Sequence, residues 1–163
     1  MKIFCGILAS GTGERFLNKK TPKQLLPVAG STLFTITLKK IDDSGLFDRV
    51  VVSLLESFES SFLDCIESEP GLNKNNNITT TIGGKTRMDS ILSVIRNIEG
   101  NYRIEDDDIF CLVDSNRPLI DKDLYERVVK AAIKYSISCP SRILSDGVGV
   151  VKKGFLTNIP DKE

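Results

Sequence analysis

The sequence contains no histidine. Histidine acid–base chemistry and histidine-activated nucleophiles are therefore excluded. The four cysteines, Cys5, Cys65, Cys111 and Cys139, are scattered without metal-ligand spacing, which argues against a zinc site. Cys5 and Cys111 fall in apolar runs, where a buried, reduced thiol is the ordinary reading. Charge of one sign is also missing, since 22 Lys plus Arg face 22 Asp plus Glu. A balanced chain offers no general field to nucleic acid or a membrane surface, so any anion site must be a local cluster. No apolar run approaches membrane-spanning length. The N-terminal run is too short for the core of a signal peptide and leads into a glycine-bearing turn, so a cytoplasmic protein is expected.

What is present suits one domain over 1–163, with 40% hydrophobic residues to build a core. Lys2–Ala9 reads as a first strand whose near-continuous apolar character fits the interior of a parallel sheet. The stretch Ser10–Gly30, with Pro22 and Pro27, is a long loop, and loops of that length are commonly functional. Ser31 or Thr32 caps a helix over Leu33–Ser44, which Gly45 terminates. Strands follow at Asp48–Leu54, Ile78–Ile82 and Ile109–Val113, with helices at Ser57–Ser68, Asp89–Ile98 and Asp121–Tyr135. Ile91, Leu92, Ile95 and Ile98 are expected inward on the third helix, and Leu124, Val128, Ala131, Ala132 and Tyr135 on the last. Ile137–Cys139 reads as a short strand, and Val148–Val151 with Phe155–Leu156 as a hairpin. The alternation predicts an α/β fold, a Rossmann-like three-layer sandwich with a mostly parallel twisted sheet. Residues 137–163 would form a C-terminal β-arm. Its apolar Val148, Val150 and Phe155 need something to pack against, which predicts a homodimer.

Two glycine turns stand at strand-to-helix junctions. After the first strand come Ser10-Gly11-Thr12-Gly13-Glu14-Arg15, and Lys23 follows a short loop later. Glycines there allow a tight turn and present amide hydrogens to an anion such as a nucleotide phosphate, with Arg15 and Lys23 within reach. The pattern is neither the dinucleotide fingerprint, whose third glycine is missing, nor a P-loop. After the third strand, Gly83-Gly84-Lys85-Thr86-Arg87 places Arg87 and Ser90 at a helix start, where free amides favour an anion. After the fourth strand, Asp114-Ser115-Asn116-Arg117-Pro118 puts polar residues at the carboxyl end of the sheet.

Taken together, Leu8-Ala9-Ser10-Gly11-Thr12-Gly13-Glu14-Arg15-Phe16 with Pro22-Lys23-Gln24-Leu25-Leu26-Pro27 and Gly30 resembles the signature of nucleotidyltransferases that load CTP onto sugar or polyol phosphates. Gly84-Lys85-Thr86-Arg87-Met88-Asp89-Ser90-Ile91 looks like the second motif of that family. Asp114-Ser115-Asn116-Arg117-Pro118 looks like the third, with Val113 where a histidine is usual. The relatives in view are the ribitol-5-phosphate and the 2-C-methyl-D-erythritol 4-phosphate cytidylyltransferases, the latter of isoprenoid synthesis. The resemblance implies that the amides of Ala9, Ser10, Gly11, Thr12 and Gly13 hold the triphosphate. It implies that Gly84, Arg87, Asp89 and Ser90 bound the cytosine and ribose pocket, and that Ser115 and Arg117 lie near the substrates. Asp114 would stand near the ribose or a magnesium ion (Mg2+), and Arg15 and Lys23 would form the catalytic pair. Fixed cations aimed at non-bridging oxygens lower the barrier to nucleotidyl transfer. Plainer readings stand beside these: Arg15 and Lys23 as surface charges, Asp114, Ser115 and Asn116 as turn formers, Ser90 as a first-turn residue, Arg117 as an ion-pair partner.

The expected activity is that of a cytidylyltransferase, transferring CMP from CTP to an alditol or sugar phosphate with release of pyrophosphate. Asp114-Ser115 rather than Asp-Ala leans towards ribitol-type acceptors, with the methylerythritol phosphate enzyme as the alternative. A further Gln-Thr-Pro segment and late lysine usual in the family are absent, and Ile143-Leu144 replace an Asp-Thr pair. That shortness raises a third reading, a non-catalytic nucleotide-binding homologue. Asp161-Lys162 stands where the family has a basic contact to the neighbouring subunit.

Overall fold

The computed structural model describes residues 1–13, 21–141, 150–152 and 155–158. Four strands, β1 (Ile3–Ala9), β4 (Arg49–Leu54), β5 (Ile78–Ile82) and β6 (Ile109–Asp114), form one parallel sheet in the order β5-β4-β1-β6. The register runs from Phe4↔Arg49 to Ala9↔Leu54 on one side of β1, and from Ile3↔Ile109 to Leu8↔Asp114 on the other. Successive side chains alternate across this sheet. Cys5, Ile7 and Ala9 with Val50, Val52 and Leu54 face one core, while Phe4, Leu8 and Val51 face another.

Helices cover both faces, giving the expected three layers. On the first face lie α1 (Leu33–Ser44), α2 (Glu59–Ser68) and α4 (Lys122–Tyr135), which bring Phe34, Phe62 and Tyr125 to that core. Phe34 and Phe62 meet edge to face, 4.9 Å between ring centroids. On the opposite face α3 (Arg87–Asn101) supplies Val94 and Ile98. The sheet is thus wound outward from β1 in both directions, and its switch point lies between β1 and β6. Cys5 and Cys111 are register partners there, and burial pushes the Cys5 thiol well above its ordinary value, so it stays protonated. No described helix is long and apolar enough to cross a membrane.

Local signals explain the element ends. Thr32 caps α1 by accepting from the Thr35 amide, and Gly45 closes it in the left-handed region at φ 62°. Asp121 caps α4 through the Leu124 amide at 3.0 Å. Two expectations about facing side chains are corrected. Leu92 is exposed, and Val94 fills the position beneath β1 instead. Tyr135 is 65% exposed because α4 is rotated to bury Tyr125 and Val129. Ile137–Cys139 is not a strand: Ser136 ends α4 at φ 65°, and Ser138 Oγ donates to the Val128 carbonyl at 2.7 Å. That bond ties the segment back to the helix rather than to a strand edge.

Two small antiparallel pairs complete the described structure. Within the long loop, β2 (Pro27–Val28) and β3 (Ser31–Thr32) pair across Ala29 and Gly30, both at positive φ, 50° and 82°. Near the C-terminus β7 (Val150–Lys152) pairs with β8 (Phe155–Asn158), the hairpin read from sequence; Val148 lies outside the described residues.

Gly6 marks where α3 presses on the sheet. A Cβ there would lie 2.9 Å from both the Phe110 ring and Val94 Cγ1. Gly6→Val is expected to destabilise the fold by about 1–3 kcal/mol through overpacking. Urea unfolding checks this, and an unchanged midpoint would mean the helix can yield at no cost.

Candidate active site

The carboxyl ends of β1, β5 and β6 deliver their loops to one place. Ser10–Thr12, Gly83–Arg87 and Asp114–Arg117 line a single cleft of about 620 Å³, which also takes in Lys23, Gln24 and Glu56. Its position at the switch point is where open α/β sheets receive ligands.

Contacts between the loops hold them in register. Ser10 Oγ and Ser90 Oγ are 2.8 Å apart, joining the first turn to the start of α3. Ser90 Oγ also accepts from the Gly84 amide at 3.2 Å and lies 3.0 Å from the Thr86 carbonyl oxygen, where it can donate. Ser90 is 2% exposed, so this hydroxyl is the pin of a small buried network. Glycine is required beside it. A Cβ on Gly83 would fall 2.3 Å from Ser10 Cβ, and one on Gly84 would fall 2.1 Å from Asp89 Cβ. On the other flank the Ser115 amide donates to the Leu8 carbonyl at 3.1 Å, fastening the third loop to β1.

Asp89 completes a capping box: its carboxylate accepts from the Thr86 amide at 3.0 Å, while Thr86 Oγ1 accepts from the Asp89 amide at 3.1 Å. Its described bonds are to Thr86, and it is not among the cleft-lining residues. Ala9 is fully buried and Gly13 turns the chain at φ 68°; neither lines the cleft. Arg15 lies outside the described residues.

Charge is the second feature. Lys23, Lys85, Arg87 and Arg117 line the cleft against Glu56 and Asp114, a cationic excess in a chain that is neutral overall. Asp114 sits between two guanidiniums, with Arg87 Nη1 at 2.6 Å and Arg117 Nη2 at 3.5 Å. Both arginines are about 60% exposed, and pairs so exposed are worth roughly 1 kcal/mol or less. The arginines can therefore turn to a stronger anion without breaking the fold. The structure adds Lys85, Glu56 and Gln24 to the cleft lining. Lys85 had a signal, its place inside the second motif, whereas Glu56 follows β4 with no motif around it.

A doubly wound parallel sheet with a glycine turn and a cation-rich cleft at its switch point is the architecture of nucleotide-binding α/β domains. The family model of 2-C-methyl-D-erythritol 4-phosphate cytidylyltransferase, IspD, matches residues 3–163, and the chain belongs to that family. Among solved structures, the 4-diphosphocytidyl-2C-methyl-D-erythritol synthase from Anaerococcus prevotii is similar at 20% identity and TM-score 0.67, covering 99% of this chain and 64% of its own. The Francisella tularensis 2-C-methyl-D-erythritol 4-phosphate cytidylyltransferase is similar at 22% identity and TM-score 0.69, covering 100% and 67%. The bifunctional IspDF of Campylobacter jejuni reaches TM-score 0.71 at 20% identity, with 100% of this chain and 38% of that one covered. At these identities the likeness is one of fold. The chain spans about two thirds of the length of the first two.

Ser90→Ala removes the hydroxyl that joins the first and second loops. A loss of about 1–2 kcal/mol in folding stability is expected, since the Gly84 amide and Ser10 lose a buried partner. Chemical denaturation of the variant is the check; parent-like stability would show that water replaces the hydroxyl freely.

Proposed function

We propose that this chain carries the nucleotide-binding and catalytic cleft of a 2-C-methyl-D-erythritol 4-phosphate cytidylyltransferase. The observation that supports it most is the meeting of three motif-bearing loops around one cation-rich cleft, in a chain matched by that family across residues 3–163. The match favours the methylerythritol acceptor over the ribitol-type acceptor to which Asp114-Ser115 alone leans.

In this reading an oxygen of the acceptor's phosphate attacks the α-phosphorus of CTP, a P–O bond forms, and the bond to the β-phosphate breaks to release pyrophosphate. The nucleophile is already anionic and needs no strong base, so a chain without histidine suffices. The Ser10–Thr12 turn holds the triphosphate through its amides. Lys23 supplies a point charge to the non-bridging oxygens, and Arg15 a two-pronged one. Gly84, Arg87 and Ser90 bound the base and ribose, with Asp89 acting on that wall through its cap on Thr86. Arg117 and Ser115 face the substrates from the third loop.

Magnesium fits as part of a metal–triphosphate complex. Asp114 is the single carboxylate on the third loop, the described residues hold no cluster of three metal-ligating side chains, and Mg2+ is commonly held by one or two carboxylates plus substrate phosphates. When bound it would neutralise phosphate charge and help the leaving pyrophosphate. The β7–β8 hairpin is read as a dimerisation arm, and sedimentation is expected to give twice the mass of one chain. A monomer at working concentration would contradict that part.

Incubation with CTP, Mg2+ and a panel of phosphorylated acceptors, read by pyrophosphate release, is expected to show turnover highest with 2-C-methyl-D-erythritol 4-phosphate. Lys23→Ala is expected to lower turnover more than about tenfold with CTP affinity less affected. Tight CTP binding with no release on any acceptor would instead support the non-catalytic reading.

A further inference from the structure

We infer that Gln24 is a positioning residue that presets the triphosphate-binding turn and joins it to the segment carrying Lys23. The inference rests on the reading of the cleft as a nucleoside triphosphate site. Gln24 is the sole glutamine of the chain, and only 3% of it is exposed. Its Nε2 donates to the Gly11 carbonyl at 3.0 Å and lies 3.3 Å from the Ala9 carbonyl oxygen. Both partners are pure acceptors, so only the NH2 end of the amide can face them.

Holding those carbonyls has a consequence for the amides. In a planar trans peptide the C=O and the following N–H point to opposite sides. Anchoring the carbonyls of Ala9 and Gly11 therefore sets the directions of the Ser10 and Thr12 amide hydrogens. Those belong to the turn that lines the cleft. A turn with two peptide planes already held need not reorganise when an anion arrives, and preorganised donors bind better and stabilise developing charge better.

The same side chain fixes the second element. Lys23–Leu25 is one tight helical turn, closed by the Leu25 amide on the Pro22 carbonyl at 2.9 Å. Lys23 on the cleft wall and Gln24 on the glycine turn are thus neighbours in a single rigid piece. The tie spans 13 residues of chain from Gly11 to Gln24. Gln24 Oε1, meanwhile, is buried without a hydrogen-bond partner among the described residues. A buried orphan acceptor costs stability.

The test uses the full chain, its Gln24→Met variant of similar shape and its Gln24→Glu variant, which turns a carboxylate oxygen towards the two carbonyls. Unfolding midpoints are measured first. Calorimetry then reads binding of magnesium tripolyphosphate and of magnesium CTP, and pyrophosphate release reads turnover. Folded variants are expected to bind tripolyphosphate about fivefold to tenfold more weakly and to lose turnover at least as much, Glu more than Met. A purely structural role would move the midpoint and leave affinity and turnover of the folded fraction unchanged, and that result overturns the inference. A parent chain that binds neither tripolyphosphate nor CTP overturns the nucleotide reading itself. Should a variant not fold, the parent with 15N-labelled glutamine side chain decides. Its one NH2 pair is expected to be protected from solvent exchange; rapid exchange would show that the clamp is not formed.

Discussion

No side chain fits at Gly83. The end of β5 comes so close to Ser10 that a single added carbon would overlap it, and this close approach is what the rest of the site depends on. It brings Ser90 to Ser10, which joins the first glycine turn to the N-terminus of α3. It also sets where α3 starts, because Gly84 passes against Asp89 while Asp89 and Thr86 close the capping box around that same turn. The sheet order makes the approach possible. With β5 and β6 on opposite sides of the β1–β4 pair, their loops flank the first turn and leave the crevice above the strand ends. A hydroxyl, two glycines and a cap thus turn a generic parallel sheet into a defined cleft.

Electrostatics act inside that frame and not beyond it. The chain as a whole is neutral, so long-range steering contributes little, and any attraction for an anion is local: among the described residues four cations gather on the cleft wall. Asp114 tempers them. By standing between Arg87 and Arg117 it gives both a resting partner, and their exposure keeps those pairs weak. A triphosphate, with several charges and bidentate geometry, is a better partner for an arginine than one half-exposed carboxylate. The arrangement fits a site that releases its own ion pairs on binding without disturbing the core beneath it.

Much of the fold was legible in the sequence because its elements carry strong local signals. The apolar runs Val50-Val51-Val52 and Ile7-Leu8-Ala9 belong to strands buried on both faces, and Thr32 with Gly45 bracket α1 as caps should. The sheet strands fall within about a residue of expectation. Side-chain facing was less legible. Apolar residues cover a wide arc of α4, so pattern alone does not choose between a face through Tyr135 and the observed one through Tyr125 and Val129. The β2–β3 hairpin has no sequence signal, because two-residue strands have no period and its turn places an alanine at positive φ. In the cleft, glycine turns and cations announce themselves by type and spacing. The clamp by Gln24 does not: the glutamine stands inside the first motif, but its role exists only through two carbonyls distant in sequence.

An amide-resolved titration with magnesium CTP reads whether the three loops form one nucleotide site. Resonances of Gly11 and Thr12, of Gly84 to Ser90, and of Ser115 to Arg117 are expected to shift together along a single binding curve. Shifts confined to one loop, curves with different midpoints, or no response at saturating CTP would contradict it.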